Sequence, residues 1–222
     1  MPPLVTFSQF RFPVGARFWA FRQMGLFARS MRDIPGLAFW KLLGTGVRFG
    51  GATPDFRRYA FLGVWDGAPR ARAVWTESEV MKRYRAHAES SITHHLAATR
   101  STGSWNGERP FGEGVAELST GPVAVLTRAA LRPSRQLVFW RYATAVEPEI
   151  AKAPGLVSAL SIGELPILRS GTFSVWEDAA ALQSFVRGRA HMQALRARTN
   201  ESLYTEELFA RFSVLGTETE GR

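Results

Sequence analysis

Four histidines are the side chains of this sequence best suited to binding a metal or a haem iron, because the chain contains no cysteine. His94 and His95 are neighbours on a predicted strand, so their side chains point to opposite faces and cannot hold one ion together. We expect one of these two to face solvent. His87 lies among charged residues of a predicted helix, MKRYRAHAES, where an exposed side chain is expected. His191 is therefore the histidine that calls for closer inspection.

His191 lies in the helical stretch RGRAHMQALRAR. On a helix it shares a face with Ala194 and Leu195. Gly188, Ala190 and Ala194 are small, and small neighbours let a flat, bulky group approach the backbone. The residues by themselves leave two interpretations open. His191 is either a partly buried helix residue or the axial ligand of a metal or haem.

Several other kinds of catalytic or binding site are excluded by what the sequence lacks. Without cysteine there are no disulfides, thiolate metal sites or cysteine nucleophiles. The glycine-rich stretch LLGTGVRFGG fits neither a P-loop nor a dinucleotide-binding turn. The sequence has no GxSxG nucleophile elbow and no pair of carboxylates in a metal-binding spacing.

The basic charge of the chain bears on its partners. The net charge is +9 and the pI is about 10.9, which would suit nucleic acid. However, 25 of the 28 basic residues are arginines, and they are spread from Arg11 to Arg222 instead of forming a patch. We therefore expect no specific nucleic-acid partner. A basic surface would instead favour anionic lipid headgroups and an acidic redox protein.

The sequence contains no recognisable membrane-targeting segment. Its start, MPPLVTFSQFRF, lacks the basic and apolar regions of a signal peptide. No apolar run approaches the roughly 20 residues that a transmembrane helix needs. We expect a cytoplasmic protein that is soluble or in peripheral contact with a membrane.

An internal repeat indicates how the chain is organised. The segment from Phe61 to Ala88 can be laid on that from Thr172 to Thr199, at an offset of 111 residues. In both, an alternating apolar strand runs into a Val-Trp-acid triplet and then into amphipathic helical turns. Each half also begins with a strand-like run, Val5–Phe12 or Val123–Leu131, followed by a long amphipathic helix.

The order of elements in each half is strand, helix, strand, strand, helix, strand, which is the ferredoxin-like unit. We predict an α+β fold in which two tandem ferredoxin-like repeats, residues 1–110 and 111–222, form an α+β barrel. His191 falls in the second repeat. Residues 33–56, rich in glycine and aromatic side chains, are predicted to be an insertion that loops over the barrel mouth and lines a site. Residues 101–122 are predicted to be a surface linker between the repeats.

Eight short motifs, weak one by one, cover nearly the whole chain in a specific order and spacing. They are FRF near the start, FWKLLGTG at 39–46, FLGVW at 61–65, SWNGERPF at 104–111, LTRA at 126–129, IGELP at 162–166, TFSVW at 172–176 and EELFARFSVLGT at 206–217. In these motifs the chain resembles the spheroidene monooxygenase family of carotenoid biosynthesis.

The resemblance implies a haem-containing oxygenase, on a fold distantly similar to dimeric α+β barrels in which a histidine commonly holds haem. His191 falls where the family has a histidine, which favours it as the iron ligand, and neutral imidazole is a good ligand for iron. The haem propionates would need cations, for which Arg128 and Lys41 are candidates, with Trp40 against the ring. The alternative for Arg128 is a salt bridge at the barrel rim with Glu164.

Three functional hypotheses follow. The first is a haem-dependent monooxygenase that oxidises an apolar, carotenoid-like substrate, using O2 and an external electron donor such as a ferredoxin. Arg128 and Arg141 are its candidate catalytic hydrogen-bond donors. The second is dehydration or nitrogen–oxygen bond chemistry on the same haem barrel, as in aldoxime dehydratases. The third is a cofactor-free barrel that binds a small apolar ligand. Ferredoxin-like sheets often associate, which favours a homodimer.

Overall fold

Strands and helices alternate in the same order through both halves of the chain. The computed structural model describes residues 3–49, 53–66, 77–114, 120–165, 169–188 and 203–221. The strands in these residues are β1 (Leu4–Arg11), β2 (Leu37–Gly46), β3 (Pro54–Trp65), β4 (Ser90–Gly103), β5 (Val123–Leu131), β6 (Leu156–Leu165), β7 (Arg169–Trp176) and β8 (Tyr204–Gly221). The helices are α1 (Arg17–Arg32), α2 (Glu79–His87), α3 (Gln136–Ile150) and α4 (Ala179–Val186). Short 3-10 turns, Val14–Ala16 and Pro133–Arg135, lead into α1 and α3.

The described strands close into one antiparallel barrel in the order β1-β3-β2-β6-β7-β5-β8-β4. Within each half the first strand pairs with the third and the fourth, and the second strand pairs with the third. The halves join at two seams, a long one between β4 and β8 and a short one between β2 and β6. The predicted α+β barrel of ferredoxin-like units is confirmed.

Alternate side chains of the strands fill the inside of the barrel. Phe7 of β1 stacks on Phe173 of β7, with the ring centroids 3.7 Å apart, so the two halves share one core. Leu62, Leu126 and Phe212 are buried in the same cluster. The barrel interior is therefore a packed core and offers little room for a ligand.

The helices lie outside the barrel, where they cover the outer face of the strands. In the first half, aromatic side chains fill the space between the helices and the outer face of the strands. Phe12 and Trp19 pack against Tyr84, with ring centroids 5.9 and 5.8 Å from the Tyr84 ring. Phe61 and Trp65 of β3 are buried in the same cluster.

Residues 33–56 are not a loop across the barrel mouth, and that part of the expectation is wrong, although Gly44, Phe49 and Phe56 of this segment do line a large cavity. Their centre is β2, which pairs with β3. Phe39 and Leu43 of β2 are buried in the barrel core, whereas Trp40 and Leu42 pack against the outer cluster. Because both faces of the strand are covered, its sequence has no polar alternation by which to recognise it.

Residues 101–122 also differ from expectation, because they do not simply run over the surface. Trp105 and Phe111 are buried in the barrel core, at 0% and 1% exposure. The turn that carries them uses backbone with positive φ at Asn106, Gly107 and Gly112, a conformation that glycine adopts at little cost. Residues 104–114 thus fold into a tight plug at the end of the barrel. The glycine and serine residues that suggested a linker allow the turns of this plug.

In the described part of the chain, no helix has both the length and the apolar character that crossing a membrane requires.

Candidate functional site

A cavity of about 1050 Å³ lies against the outer face of the second-half sheet. Its floor is the face of β5, β6 and β7 that points away from the barrel core. The floor residues are small, and include Ala129, Ser161, Ser170 and Thr172. The hydroxyls of Thr127 and Thr172 are 2.7 Å apart and hydrogen-bond each other. They therefore do not require a hydrogen bond from a ligand.

The repeat explains why the floor of the cavity lies in the second half of the barrel. Ser8 of β1 and Thr127 of β5 occupy equivalent positions in the two halves. Phe61 pairs with Ser8 and Thr172 pairs with Thr127, so Thr172 is the counterpart of Phe61. The same strand registers give three more pairs of equivalent residues, each with the second-half residue named first. They are Ala129 for Phe10, Ser170 for Tyr59 and Ser161 for Leu42. Large side chains fill the first half, and their small counterparts leave the second half open.

Aromatic side chains form the walls of the cavity. Phe139 and Trp140 of α3, Phe185 of α4 and Phe209 of β8 line it. The start of α4 is fixed by Asp178, whose carboxylate accepts a hydrogen bond from the Ala181 N–H at 2.8 Å. These walls surround the cavity with apolar surface, which suits a large, flat or elongated ligand.

The cavity continues across the β2–β6 seam to the first half. Gly44 and Gly163 lie opposite each other at this seam, so no side chain stands between the two halves. Phe21 and Met24 of α1 and Phe56 of β3 line the cavity on the far side. The cavity therefore extends over both halves of the barrel.

Two arginines line the cavity side by side. Arg100 of β4 lies directly opposite Arg211 of β8, and both contribute to the wall. Arg211 donates a hydrogen bond to the Thr99 hydroxyl at 3.4 Å. Neither arginine makes a salt bridge with any residue that the structure describes. Like charges directly opposite in a sheet repel each other, so this pair favours an anion in the cavity.

His191, predicted to be the iron ligand, lies outside the described residues, and that assignment stays a prediction. The described chain reaches the cavity wall at Arg187 and returns to it at Tyr204. His191 is four residues after Arg187 in the sequence.

Arg128, a predicted partner of a propionate, is 4% exposed and also contributes to the cavity lining. Its guanidinium donates to the carboxylates of Glu206 and of Glu164, the latter at 3.2 Å. The Lys41 ammonium is 3.7 Å from the other Glu164 oxygen. The salt bridge with Glu164, left open as an alternative, is therefore present, and both cations already have carboxylate partners.

Glu206 anchors this ion network to the plug. Burial raises the pKa of Glu206, but hydrogen bonds from the Gly107 N–H, the Ser104 hydroxyl, the Asn106 N–H and Arg128 outweigh it and lower the pKa to about 2. The Gly107 and Ser104 bonds measure 2.7 and 2.8 Å. Glu206 is therefore ionised at neutral pH and holds the loop against the barrel.

Two further predicted site residues lie away from the cavity lining. Trp40 packs on the outer side of β2 with the first-half helix cluster. Arg141 is exposed on α3. The roles predicted for Trp40 at the ring and for Arg128 and Arg141 as hydrogen-bond donors stay predictions.

The remaining histidines have structural partners. His94 and His95 do point to opposite faces, but both are buried, at 5% and 6% exposure, so the expectation that one faces solvent is wrong. His94 hydrogen-bonds the Thr217 hydroxyl at 3.0 Å, and His95 is 3.2 Å from a Glu218 oxygen. His87 is exposed and stacks on Trp19, with ring centroids 3.8 Å apart. Among the described residues, no three histidines or carboxylates cluster as metal ligands would.

The sequence could not have identified Arg100 and Arg211. They are 111 residues apart, and only the β4–β8 pairing brings them together. The one available signal was the single arginine in the otherwise apolar stretch LFARFSVL, on the side of the strand opposite Phe212.

Comparison with known proteins gives two kinds of likeness. A spheroidene monooxygenase of Rhodobacter capsulatus is 38% identical over 221 residues, covering 97% of this chain and 92% of the relative. One from Cereibacter sphaeroides is 34% identical over 217 residues, covering 96% of this chain and 67% of the relative. Among solved structures, an aldoxime dehydratase has a TM-score of 0.63 at 14% identity, covering 96% of this chain and 82% of that protein, which shows a common fold. No family model matches the chain.

Proposed function

This chain belongs to the spheroidene monooxygenase family, and on that premise we propose that it is a haem-dependent monooxygenase acting on an apolar, carotenoid-like substrate. The observation that carries the proposal is the cavity of about 1050 Å³, apolar in its walls and built from both halves. That volume is at the upper end of ordinary ligand pockets, roughly 300–1000 Å³. It provides room for a flat cofactor together with part of a long substrate.

The residues that line the cavity fit a haem. The floor of small side chains, Ala129, Ser170 and Thr172, would let the macrocycle lie close to the sheet. Arg100 and Arg211 would hold the two propionates, because a guanidinium forms strong hydrogen bonds with carboxylates. In this proposal His191 would bind the haem iron. When bound, the haem would supply the activation of O2 that no side chain can perform.

The chain's own residues would orient the substrate and exclude water. Phe139, Trp140 and Phe185 shield the second-half part of the cavity from solvent. Phe21 and Phe56 would hold the apolar substrate on the far side of the seam. In the overall reaction, one oxygen atom of O2 enters a C–H bond of the substrate. The other leaves as water, with two electrons and two protons from an external reductant such as a ferredoxin.

The likeness to an aldoxime dehydratase concerns the fold alone and gives no support for dehydration. A substrate assay distinguishes the two reactions, because oxygenation consumes O2 and dehydration does not. With a spheroidene-like carotenoid, a reductant and ¹⁸O2, the haem-loaded protein should release a product that carries the heavy isotope. Turnover of an aldoxime without O2, and no labelled carotenoid product, would contradict the proposal.

A further inference from the structure

The exposed face of α1 is unusual for a surface helix. Val14, in the turn before the helix, and Phe18 and Phe21 within it are 56%, 69% and 55% exposed. Their spacing of four and three residues places them on one side of the helix. Trp19 and Phe27, on the other side, pack against α2. The exposed apolar residues therefore lie on the side of the helix that does not pack against α2.

The charged side chains of α1 itself all have one sign. The first 32 residues contain no aspartate or glutamate. Arg17 and Arg22 are exposed on α1 beside the apolar side chains. Neither forms a salt bridge with another residue in the described part of the chain. An amphipathic helix with aromatic side chains and unpaired arginines is typical of helices that lie in the headgroup region of a bilayer.

The same face continues into the cavity. Phe21 stands edge-on to Phe56, with ring centroids 6.0 Å apart. Phe56 is 53% exposed, so both aromatics reach the surface while they also line the cavity. Met24, the next turn of α1, lines it as well. The cavity thus reaches solvent beside the apolar residues of α1.

We propose that Val14, Phe18 and Phe21, together with Arg17 and Arg22, form a docking face for a bilayer with anionic headgroups, and that the cavity opens toward the docked membrane. A second copy of the chain is the less suitable occupant. A two-fold axis through this face would place arginines against arginines, without carboxylates to pair with them. Anionic lipid supplies the missing negative charge.

The test is co-sedimentation with vesicles of phosphatidylcholine, with and without phosphatidylglycerol. The wild-type chain should bind the phosphatidylglycerol vesicles, and salt should weaken the binding. Phe18→Ser should weaken it about tenfold and Arg22→Glu at least about fivefold. The matched control is Leu137→Ser. Leu137 is 88% exposed and, like Phe18, is the second residue of the helix after the first strand of its repeat.

Three outcomes would overturn this inference. In the first, the wild-type chain stays in the supernatant with phosphatidylglycerol vesicles. In the second, Leu137→Ser and Phe18→Ser lose binding equally. The third is a dimer in sedimentation equilibrium that Phe18→Ser dissociates, because a second copy would then cover the face. Thermal melts of each variant verify folding. Only the passage of substrate into the cavity rests on the proposed function. Vesicle binding needs neither haem nor substrate, so either proposal can fail alone.

Discussion

Arg100 and Arg211 lie opposite each other on β4 and β8, and like charges in this position are unfavourable unless an anion lies near them. Both side chains line the cavity. If they hold the propionates of a haem, replacing either one removes a charge-assisted hydrogen bond of about 1.5–3 kcal/mol. Hemin should therefore bind Arg211→Ala at least about tenfold more weakly than the wild type in a titration. Arg132→Ala, at an exposed arginine away from the cavity, should leave the affinity unchanged. Equal affinities in the two variants would remove Arg211 from the site.

His94 gives the folded state a dependence on pH. Burial, and then the neighbouring His95, lower the pKa of His94 from its ordinary 6.5 to about 4. Protonation is thus harder in the folded state than in the unfolded state. The resulting stability is complete above pH 6.5 and is lost as the pH falls toward 4, by on the order of 3 kcal/mol. Glu206, with its pKa lowered from 4.5 to about 2, contributes stability that is lost only below pH 4.5.

The His94 contribution can be isolated by urea unfolding at pH 7 and at pH 4.5. His94→Gln removes the titrating ring while it keeps a polar group near Thr217. This variant should lose less free energy of unfolding between the two pH values than the wild type does. A parallel decline in both proteins would show that other groups are responsible.

At the scale of elements, the plug that spans residues 104–114 determines whether the barrel end is closed. Trp105 is fully buried in the core, and the Arg128 guanidinium lies over its ring, 5.6 Å from the centroid. Trp105→Ala should lower the free energy of unfolding by about 3–5 kcal/mol, the usual loss for a large aromatic core residue. Glu108→Ala, at an exposed position of the same turn, should change it by less than about 0.5 kcal/mol. Chemical denaturation of both variants measures the difference, and a small effect of Trp105→Ala would mean that the plug is dispensable.

The elements show what sequence patterns can and cannot reveal. The strands that end in Val64-Trp65 and Val175-Trp176 were visible because each alternates and recurs after 111 residues. β2 was missed because it is buried on both faces, and the plug because its glycines and serines look like those of a linker. Neither β2 nor the plug can be recognised from its local sequence, because its burial depends on elements that are distant in sequence.

At the scale of the whole molecule, the fold class and the repeat followed from the sequence, but the position of the cavity did not. Small residues at Ser170 and Thr172 look unremarkable until the strand pairing aligns them with Tyr59 and Phe61. The sequence did suggest the salt bridge between Arg128 and Glu164 as one alternative. It could not show that Glu206, 78 residues after Arg128, would be one of its partners.

The repeat also provides a direct way to close the cavity. Thr172→Phe places the side chain of the first-half counterpart, Phe61, on the floor of the second-half cavity. The variant should fold, since the side chain enters open space, and it should lose ligand binding. The reverse change, Phe61→Thr, should cost about 3–5 kcal/mol of stability, because it opens a void in the closed half, and should leave ligand affinity unchanged. Retained hemin binding in Thr172→Phe would place the ligand elsewhere.

Haem binding in the cavity through His191 can be tested by the absorption spectrum during a hemin titration. The wild type should develop a Soret band with saturating, stoichiometric uptake. In His191→Ala the band should be lost or shifted, whereas in His87→Ala, a change at an exposed histidine, it should match the wild type. A wild-type chain that takes up no hemin, or a His191→Ala spectrum identical to that of the wild type, would contradict haem binding through His191.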